Sequence, residues 1–424
     1  MHDLRVFREH ADALRDGMQR RDKLSQYLGS IDEGVALDAS RRAVIQAVEE
    51  KKAARNANSQ EVARRKKAGE DASGLIASGR TLGDEISVLE GELAAAEARL
   101  SELLLDIPNI PLDDVPAGGE EANRVLKTWG TPRPSDGVRP HWEVAESLGI
   151  LDLMRGAKVS GSGFVVFRGL GARLVRGLMT WFIDTHVREH DYEEIWPPVL
   201  VNRATMIGTG QLPKFEEDMY ALRDDPLFLI PTAEVPVTNL YRDEILDMGA
   251  LPRGFVAYSP CFRREAGAAG KDTRGILRVH QFDKVEVVRY CTPEQSADEH
   301  ERLTRHAEIL LERLELPYRR VLLAAGDIGF ANAKTYDLEV WAPGVGKWLE
   351  VSSCSSYTDF QARRANIRYR PAQGEKPRFI HTLNGSALAF PRTIACLLEH
   401  YQQADGTVAV PHALRAVLGT DLLS

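Results

Sequence analysis

Apolar positions recur at helical spacing in the first quarter of the chain. Beginning near Thr81, seven apolar residues follow one another at intervals of 4, 3, 4, 3, 4 and 3. Such an a/d heptad pattern, sustained over three repeats, predicts a helix of a coiled coil. The residues of this seam are Leu82, Ile86, Leu89, Leu93, Ala96, Leu100 and Leu103.

A second long helix is predicted just before this seam, over about 38–67. The stretch has no Gly or Pro and is rich in Ala, Glu, Lys and Arg, although Lys52, Arg55 and Ser59 interrupt its apolar seam. Glycines separate the two helices by a short turn, so we expect them to pair as an antiparallel hairpin. At 1.5 Å per residue, roughly thirty residues of helix extend for about 45 Å.

The residues on either side of the hairpin give weaker signals. Residues 1–36 contain turn signals at Gly29, Ser30 and Gly34, and they predict only a short helix or two. Residues 107–140 contain repeated Pro and Gly, which is typical of a linker.

From about His141 to the C-terminus, β-prone runs alternate with helical ones. We predict helices over 170–190 and 292–314 and a terminal helix that ends near Gln403. Because few consecutive strands are joined by regular helices, we expect a mixed, largely antiparallel sheet flanked by helices, which is an α+β domain. The predicted strands are 193–202, 228–234, 318–323, 335–341, 347–353 and 379–384.

One stretch of this domain, Ser259–Tyr290, combines two β-prone runs with a long cationic loop. Side chains on a strand alternate between faces, so an arginine, an aromatic ring and carboxylates should converge on one sheet surface. Arginine binds phosphate or carboxylate, and an aromatic ring can stack on a nucleobase. No P-loop or Rossmann glycine motif precedes a helix, so this hairpin predicts a different kind of nucleotide site. The residues concerned are Cys261, Arg263 and Glu265, then His280, Phe282, Lys284 and Glu286, with Lys271 and Arg274 in the loop.

Composition excludes several other classes of protein. The 424 residues include 43% hydrophobic and 27% charged residues, as expected for a globular protein of two or three domains. Neither an apolar run long enough to span a membrane nor an N-terminal signal core is present, so we expect a cytosolic protein. The four cysteines lack CxxC spacing, which argues against structural zinc and against a disulfide framework.

Charge is segregated between the two limbs of the hairpin. Residues 41–67 contain nine basic and three acidic residues, whereas residues 70–106 contain nine acidic and two basic residues. Opposite limbs could simply attract and steady each other, or the basic limb could bind a phosphate backbone. The charges alone favour neither interpretation, but a long protruding arm suggests a long partner such as RNA.

Several segments resemble the three motifs of class II aminoacyl-tRNA synthetases: YEEIWPP, FRRE and GSALAFPRTIACLLE. More narrowly, the chain resembles bacterial seryl-tRNA synthetases along essentially its whole length, in segments such as LLLDIPNIP, KVSGSGFVVFRG, GTGQLPKFEEDMY and HTLNGSALA. The resemblance implies that ATP and L-serine form seryl-adenylate, and that the seryl group then passes to the 3′ end of tRNA(Ser), or of tRNA(Sec) where present.

The resemblance also implies a domain organisation. A tRNA-binding domain over 1–106, with its coiled-coil arm at about 38–103, would be followed by the linker 107–140 and a catalytic domain over 141–424. The family forms homodimers through motif 1, and its arm embraces the variable arm of its tRNA. Motifs 1, 2 and 3 would occupy about 170–200, 257–288 and 381–400.

Residue roles carry over by position from the family motifs. Arg263, Glu350 and Arg392 would be the catalytic residues, and Glu350 with Ser353 would bind Mg²⁺. Spacing adds that Thr232 and Glu234, two apart, would share a strand face. No residue is an obvious general base. The implied ATP contacts are Arg263, Arg264, Glu265, Val279, Phe282, Glu350, Val351, Ser352, Ser353 and Arg392. The implied serine contacts are Thr232, Ala233, Glu234, Arg263, Glu286, Asn384 and Ser386. The implied tRNA contacts are Arg41, Lys51, Lys52, Arg55, Arg64 and Arg65.

Three alternatives stay open beside this interpretation. Arg264, Ser356 and Ala387 depart from the common family pattern, so the chain could be a specialised paralogue for inhibitor resistance or biosynthetic supply of seryl-tRNA. A ligase that loads an amino acid onto a carrier protein would lack the full arm. A non-catalytic RNA-binding descendant would be expected to lose Arg263, Glu350 or Arg392, and all three are present.

Overall fold

The structure, a computed structural model, describes residues 1–266 and 274–424. These residues divide into two units, one of His2–Gln19 and Lys23–Ile107, the other of Met1, Arg20–Asp22 and Pro108–Ser424. No helix in the described ranges combines the length and the apolar character needed to cross a membrane.

The helices and strands of the described residues are numbered here in chain order. The helices are α1 (Val6–Glu9), α2 (Ala11–Arg20), α3 (Leu24–Ala68), α4 (Ser73–Asp106), α5 (His141–Ser147), α6 (Leu153–Ser160), α7 (Leu170–Glu189), α8 (Arg203–Thr209), α9 (Glu234–Thr238), α10 (Ser296–Arg313), α11 (Phe360–Ala365), α12 (Phe390–Tyr401) and α13 (His412–Leu418). The strands are β1 (Arg124–Trp129), β2 (Leu151–Asp152), β3 (Val166–Phe167), β4 (Glu193–Glu194), β5 (Leu200–Asn202), β6 (Leu227–Leu229), β7 (Ile245–Asp247), β8 (Arg253–Phe262), β9 (Gln281–Cys291), β10 (Tyr318–Leu322), β11 (Lys334–Ala342), β12 (Lys347–Ser356), β13 (Arg368–Arg370), β14 (Arg378–Phe379), β15 (His381–Ala389), β16 (Val408–Ala409) and β17 (Leu422–Leu423).

The helical unit is dominated by the pair α3 and α4, which confirms the predicted hairpin. All seven residues of the predicted heptad seam are buried or half-buried, with Ile86, Leu100 and Leu103 buried most completely. Near the turn, the Asn58 side-chain amide donates to the carbonyl oxygen of Leu75 at 2.7 Å. Periodic apolar contacts along the seam therefore hold the two helices together.

Both helices begin earlier than the sequence predicts. α3 starts at Leu24 and continues through the glycines that were interpreted as turns, because a mid-helix glycine costs only about 1 kcal/mol. At Gly34 a Cβ would come within 2.3 Å of the Phe7 ring, so glycine there permits close packing. α4 starts at Ser73, not near Thr81.

The second unit is built on one eight-stranded sheet, in the order β1-β10-β11-β12-β15-β9-β8-β4. Only the β4–β8 pair is parallel among these neighbours, so the predicted mixed, mainly antiparallel α+β fold is confirmed. Strand β1 lies inside the stretch predicted as a linker. It is an edge strand whose Val125 and Leu126 are exposed, so its sequence lacks the apolar alternation that predicts a strand.

Helices cover this sheet on both faces near its centre. On β9, Val285 and Val287 enter a core with α7, α10 and α12, whereas Val288 and Tyr290 enter a separate cluster with Phe255. Because alternate side chains are buried on opposite faces, β9 reads as a nearly continuous apolar run in its second half. The functional residues occupy its polar first half.

Two of the predicted strands take a different form. The stretch 193–202 divides into β4 and β5, which belong to different sheets, because prolines between them supply no N–H for pairing. The stretch 228–234 ends as a strand at Leu229, and Glu234 begins α9. The prediction that Thr232 and Glu234 share a strand face is therefore wrong.

Candidate active site

Strand register collects several of the predicted site residues on one face of the sheet. Glu286 on β9 lies opposite Ser386 on β15, and residues directly opposite each other share a face. Ser355 of β12 lies opposite Asn384 of β15, which extends the same face by one more strand. Phe282 precedes Glu286 by four residues on β9 and lines the same surface, as its period-two spacing predicts.

A bulge in β12 brings Glu350 to this face as well. In a regular strand, residues three apart point to opposite sides, which would separate Glu350 from Ser353. Here Glu350 pairs with Glu339 and Ser353 pairs with Asp337, so Val351 is an extra residue. The extra residue reverses the alternation, so both side chains share a face.

One cavity on this face unites residues of the second unit that are far apart in sequence, from Arg263 to Arg392. Its lining includes most of the residues predicted to contact ATP, together with the lysine of the β9 hairpin strand. The predicted residues that it unites are Arg263, Glu265, Val279, Phe282, Glu350, Val351, Ser386 and Arg392.

Arg263 and Phe282 form the floor of this cavity. Arg263 lies just beyond the end of β8, and its N–H donates to the carbonyl oxygen of His280 at 2.9 Å. The guanidinium carbon lies 5.1 Å from the centroid of the Phe282 ring, while Nε donates to the carbonyl oxygen of Pro231 at 3.4 Å. A cation beside a flat ring can bind an anion attached to an aromatic base.

Arg392 closes another side of the cavity from the first turn of α12. Its Nη1 donates to the backbone oxygen of Glu350 at 2.8 Å and to the carboxylate at 3.1 Å. Its Nε donates to the carbonyl oxygen of Leu277 at 3.3 Å. The guanidinium is therefore held at three points while it borders the cavity.

Asp337 lies beside the Glu350–Ser353 pair, and sequence reasoning missed it. Burial, followed by the nearby charge of Glu350, raises the pKa of Asp337 well above its usual range, whereas a hydrogen bond with Ser353 lowers it. Its Oδ1 has no hydrogen-bond partner within the described part of the chain. Only the pairing of β11 with β12 reveals this neighbour, because nothing in its local sequence marks it.

The side chains that follow Arg263 take two different directions. Glu265 has a left-handed backbone (φ +52°), and its carboxylate pairs with Arg278 inside the cavity. Arg264 donates from Nη1 to the carbonyl oxygen of Glu217 at 3.0 Å and does not line the cavity. Arg274 is exposed. The predicted contribution of Lys271 lies outside the described residues.

A second cavity adjoins the first and shares Arg263, Glu265 and Arg278 with it. Thr232 and Glu234 line it from the loop and helix that follow β6. Thr232 Oγ1 donates to Glu286 at 3.2 Å and accepts the Glu234 N–H at 3.2 Å, while Lys284 pairs with the buried Glu286 carboxylate.

Glu234 is a buried carboxylate. Gln361 of α11 donates from Nε2 to Glu234 Oε1 at 2.7 Å, and sequence reasoning missed this glutamine. Burial, and secondly the Glu286 charge, raises the pKa of Glu234, although the Gln361 hydrogen bond opposes the change. Because Glu286 is already paired with Lys284, Glu234 is the carboxylate of the two that suits an ammonium group.

The remaining predicted serine and ATP residues lie around these cavities. Asn384 accepts from the Tyr357 hydroxyl at 3.1 Å, and its buried amide nitrogen has no partner among the described residues. Ser352 is buried and donates to the carbonyl oxygen of Ser386 at 2.6 Å, so its hydroxyl is occupied by the fold. Ala233 is fully buried just before α9.

The described residues contain no group of three or more His, Cys, Asp and Glu side chains arranged to hold a metal ion. Glu350 and Ser353 supply one carboxylate and one hydroxyl oxygen on the same face, and both are hard ligands of the type that Mg²⁺ prefers. Mg²⁺ usually keeps several waters and binds through few protein groups together with phosphates, so this sparse donor set fits that ion.

Most of the predicted tRNA contacts in the arm have acidic partners. Arg41, Lys51 and Lys52 reach across from α3 to Glu97, Glu85 and Glu90 of α4 at 2.7–2.8 Å. Arg64 and Arg65 pair with Glu61 of their own helix. Arg55 forms no ion pair with any described residue, and the same holds for Lys66, Lys67 and Arg80. Opposite charges therefore connect the two limbs at these three pairs, and at a fourth between Arg99 of α4 and Glu33 of α3 at 2.7 Å.

Two family profiles match the chain. The profile described as "Seryl-tRNA synthetase N-terminal domain" matches residues 1–111. The profile described as "tRNA synthetase class II core domain (G, H, P, S and T)" matches residues 215–401.

Curated relatives and solved structures agree with these profiles. The chain is 63% identical to the serine--tRNA ligase of Gemmatimonas aurantiaca, covering 100% of both chains, and 53% identical to that of Thermomicrobium roseum, covering 99% of this chain and 94% of the relative. A crystal structure of seryl-tRNA synthetase from Pyrococcus horikoshii complexed with ATP matches with a TM-score of 0.96 and 38% identity, covering 100% of this chain and 99% of that one.

Proposed function

The chain belongs to the seryl-tRNA synthetase family, and from this we propose that it is a serine–tRNA ligase that activates L-serine with ATP and transfers it to tRNA(Ser). The observation that carries the proposal is the pair of adjoining cavities that share Arg263. One guanidinium can thereby contact two anions, the α-phosphate of ATP on one side and the serine carboxylate on the other. Such a position suits the joining of carboxylate to phosphorus.

In the nucleotide cavity, Phe282 stacks on adenine and Glu265 accepts from the adenine amino group or lies near the ribose. Val279 and Val351 line the same space, and Arg392 contacts the γ-phosphate. Arg264 and Ser352 support these residues through the backbone contacts described above. The reaction needs orientation and charge stabilisation more than a proton acceptor, because the serine carboxylate is already a nucleophile at neutral pH.

Glu350 and Ser353 would hold Mg²⁺ at the phosphate side of the cavity. The ion supplies positive charge that stabilises the triphosphate and the departing pyrophosphate. Glu350 accepts a hydrogen bond from Arg392 at 3.1 Å, so the two side chains are neighbours. They lie close enough to act on neighbouring phosphate oxygens, Arg392 directly and Glu350 through the Mg²⁺ that it would hold. Asp337 stabilises the orientation of Ser353 from the adjacent strand.

The second cavity is proposed to bind serine. Glu234 accepts from the ammonium group, and Thr232, Ala233, Glu286, Asn384 and Ser386 surround the substrate. The unpartnered Asn384 amide nitrogen is available to the substrate. A closed polar pocket rejects alanine strongly, because groups that bind the serine hydroxyl would be left unpaired.

The arm is proposed to bind tRNA through the basic residues that acidic neighbours do not neutralise. Of the six predicted contacts, Arg55 fits this description best, and the unpaired Lys66, Lys67 and Arg80 extend it. Arg41, Lys51, Lys52, Arg64 and Arg65 would have to exchange an acidic partner for phosphate, which reduces their net contribution.

A homodimer is proposed on the basis of exposed apolar side chains around motif 1. Trp196 is 71% exposed and Met154 is 82% exposed, and Val187 on α7 is also exposed. Trp196 and Val187 lie within motif 1, and a contiguous apolar patch there would mark an interface between chains. A second copy of the chain is the proposed partner, and the cytosol is the proposed location.

Two assays on the purified full-length chain test the function. We expect serine-dependent exchange of pyrophosphate into ATP, and serine attachment to tRNA(Ser) in the presence of ATP and Mg²⁺. Exchange only with another amino acid would contradict the serine assignment. Exchange with serine but transfer to a carrier protein in place of tRNA would favour the carrier-ligase alternative, and no exchange would favour a non-catalytic descendant.

A further inference from the structure

The wall of the nucleotide cavity formed by Ile276, Leu277, Arg278 and Val279 is held through its backbone at two points. Arg392 donates from Nε to the carbonyl oxygen of Leu277 at 3.3 Å. One residue earlier, the N–H of Ile276 donates to Nε2 of His141 at 3.3 Å, in a fully buried contact. His141 is remote in sequence and does not line the cavity itself.

His141 is held in turn by Glu399, which lies seven residues after Arg392 on α12. His141 Nδ1 and Glu399 Oε1 are 2.8 Å apart, and both side chains are 0% exposed. The His141 N–H also donates to Oε1 at 3.0 Å, while the Gly344 and Val345 N–H groups donate to Oε2 at 2.8 and 3.2 Å. Glu399 is thus a buried carboxylate with four donors, as a buried charge requires.

These contacts fix the tautomer of His141. Since the Ile276 N–H is a donor, Nε2 must be the unprotonated acceptor, so the ring proton lies on Nδ1 and points to Glu399. A histidine in this state transmits orientation, because the carboxylate fixes the ring and the ring fixes the backbone of Ile276.

Gly275 provides a second, independent sign that this contact is built for close approach. Its φ of +67° lies in the left-handed region, and a Cβ there would come within 2.2 Å of His141 Nε2 and 3.0 Å of Trp142. Only glycine lets the chain meet the imidazole ring at this point. The backbone of residues 275–276 therefore packs directly against the edge of the His141 ring.

We infer that His141 is a positioning residue for the nucleotide site, through which Glu399 of α12 sets the backbone of Ile276 and thereby the cavity wall 276–279. The inference rests on the proposed function of that cavity in ATP binding. α12 then holds the same wall twice, through Arg392 directly and through Glu399 by way of His141. Neither His141 nor Glu399 touches substrate, so both act through other residues.

Two matched substitutions at His141 each remove one of its two side-chain hydrogen bonds, to Glu399 or to Ile276, and keep the other. The side-chain amide of asparagine occupies about the place of Nδ1, so His141→Asn keeps a donor to Glu399 and loses the acceptor for Ile276. The longer glutamine of His141→Gln places its oxygen near Nε2, which keeps the acceptor and loses the Glu399 bond. Loss of one hydrogen bond corresponds to a change of roughly 3- to 10-fold.

We expect His141→Asn to raise KM for ATP in serine-dependent exchange by roughly 3- to 10-fold, with KM for serine changed less than about 2-fold. We expect His141→Gln to raise KM for ATP as well, but by less than His141→Asn does and with a lower Tm, because it keeps the acceptor for Ile276 and loses only the orientation by Glu399. Equal effects of the two variants on KM for ATP, or equal changes in KM for both substrates, would overturn the inference.

Hydrogen–deuterium exchange of the full-length variants gives a readout that does not need activity. In His141→Asn, the Ile276 amide should lose protection while the Gly344 and Val345 amides keep theirs. Unchanged protection of Ile276 in that variant would contradict the proposed contact. If the parent chain did not catalyse serine-dependent pyrophosphate exchange, the proposed function would be wrong. The protection of the Ile276 amide would still test the contact with His141, because that measurement does not depend on activity.

Discussion

The arm and the catalytic cavity both depend on charged side chains, but they use them in opposite ways. In the arm, Lys51, Lys52 and Arg41 are partly exposed and face acidic partners on the adjacent helix. In the two cavities, Glu234 is buried, and Arg263 faces open space beside an aromatic ring. Exposed pairs contribute less than about 1 kcal/mol each, whereas a buried charge demands compensation and changes the affinity for any ion that enters.

The difference teaches where substitutions should matter. Charges in the arm are repeated along two helices, so any one of them can be replaced with little consequence. Charges in the cavity come from separate strands and helices, so each occupies a position that no neighbour can fill. The following predictions test this contrast.

The largest effect is expected from Arg263→Ala, which removes the cation shared by the two cavities. Loss of one preorganised group that stabilises transition-state charge lowers kcat by roughly 10²- to 10³-fold, and two anions depend on this residue. Arg263→Lys is the matched control: it keeps the charge but loses the planar fork, so we expect partial recovery. Serine-dependent exchange measures both, and an Arg263→Ala variant with near-parental exchange would refute the assigned role.

A smaller effect is expected from acidification of the serine pocket. Burial and Glu286 raise the pKa of Glu234, so protons compete with the serine ammonium group for this carboxylate. KM for serine should therefore rise as the pH falls through the raised pKa of Glu234, and it should level off above that pKa. The stability of the protein without serine should change in the opposite direction. Its free energy of unfolding should rise as the pH falls, because a raised carboxyl pKa means that the folded state binds the proton more tightly than the unfolded state does.

Glu234→Gln supplies the control for this pH dependence. The variant should have a higher KM for serine at neutral pH and a flatter dependence on pH, while KM for ATP changes little. A parental pH profile in this variant would assign the titration to another group.

The smallest effect is expected in the arm. Arg55→Glu should raise KM for tRNA in the charging reaction by roughly 2- to 10-fold at low salt, without a change in exchange, because a phosphate contact is lost. The matched control is the double swap Lys51→Glu with Glu85→Lys, which preserves a cross-limb pair and should change Tm and charging very little. A larger loss of charging in the swap than in Arg55→Glu would reverse the proposed ranking of arm residues.

The elements that the sequence predicted correctly are those with a visible apolar period. The heptad seam of α4 and the helix α7 were predicted correctly, because short-range periodicity records which face is buried. Phe282 and Glu286 lie on one face of β9 as predicted, because both obey strand alternation. Strand β1 and the early start of α3 were missed, because neither depends on a visible apolar period.

Other parts of the site have no local signature. Gln361, Asp337 and His141 reach their partners only through the pairing of strands and the packing of helices far apart in sequence. The bulge at Val351, which puts Glu350 and Ser353 on one face, depends on the register of β12 against β11.

The sequence by itself determined the long helices, most strands of the eight-stranded sheet and, through family motifs, the chemical groups available to the site. These properties follow from short-range spacing, which depends only on helix and strand geometry. The tertiary structure alone decided which faces meet, where Arg263 is shared between two cavities, and how Glu399 reaches Ile276 through His141. Such contacts depend on register and packing across the whole sheet, and no local stretch of chain records them.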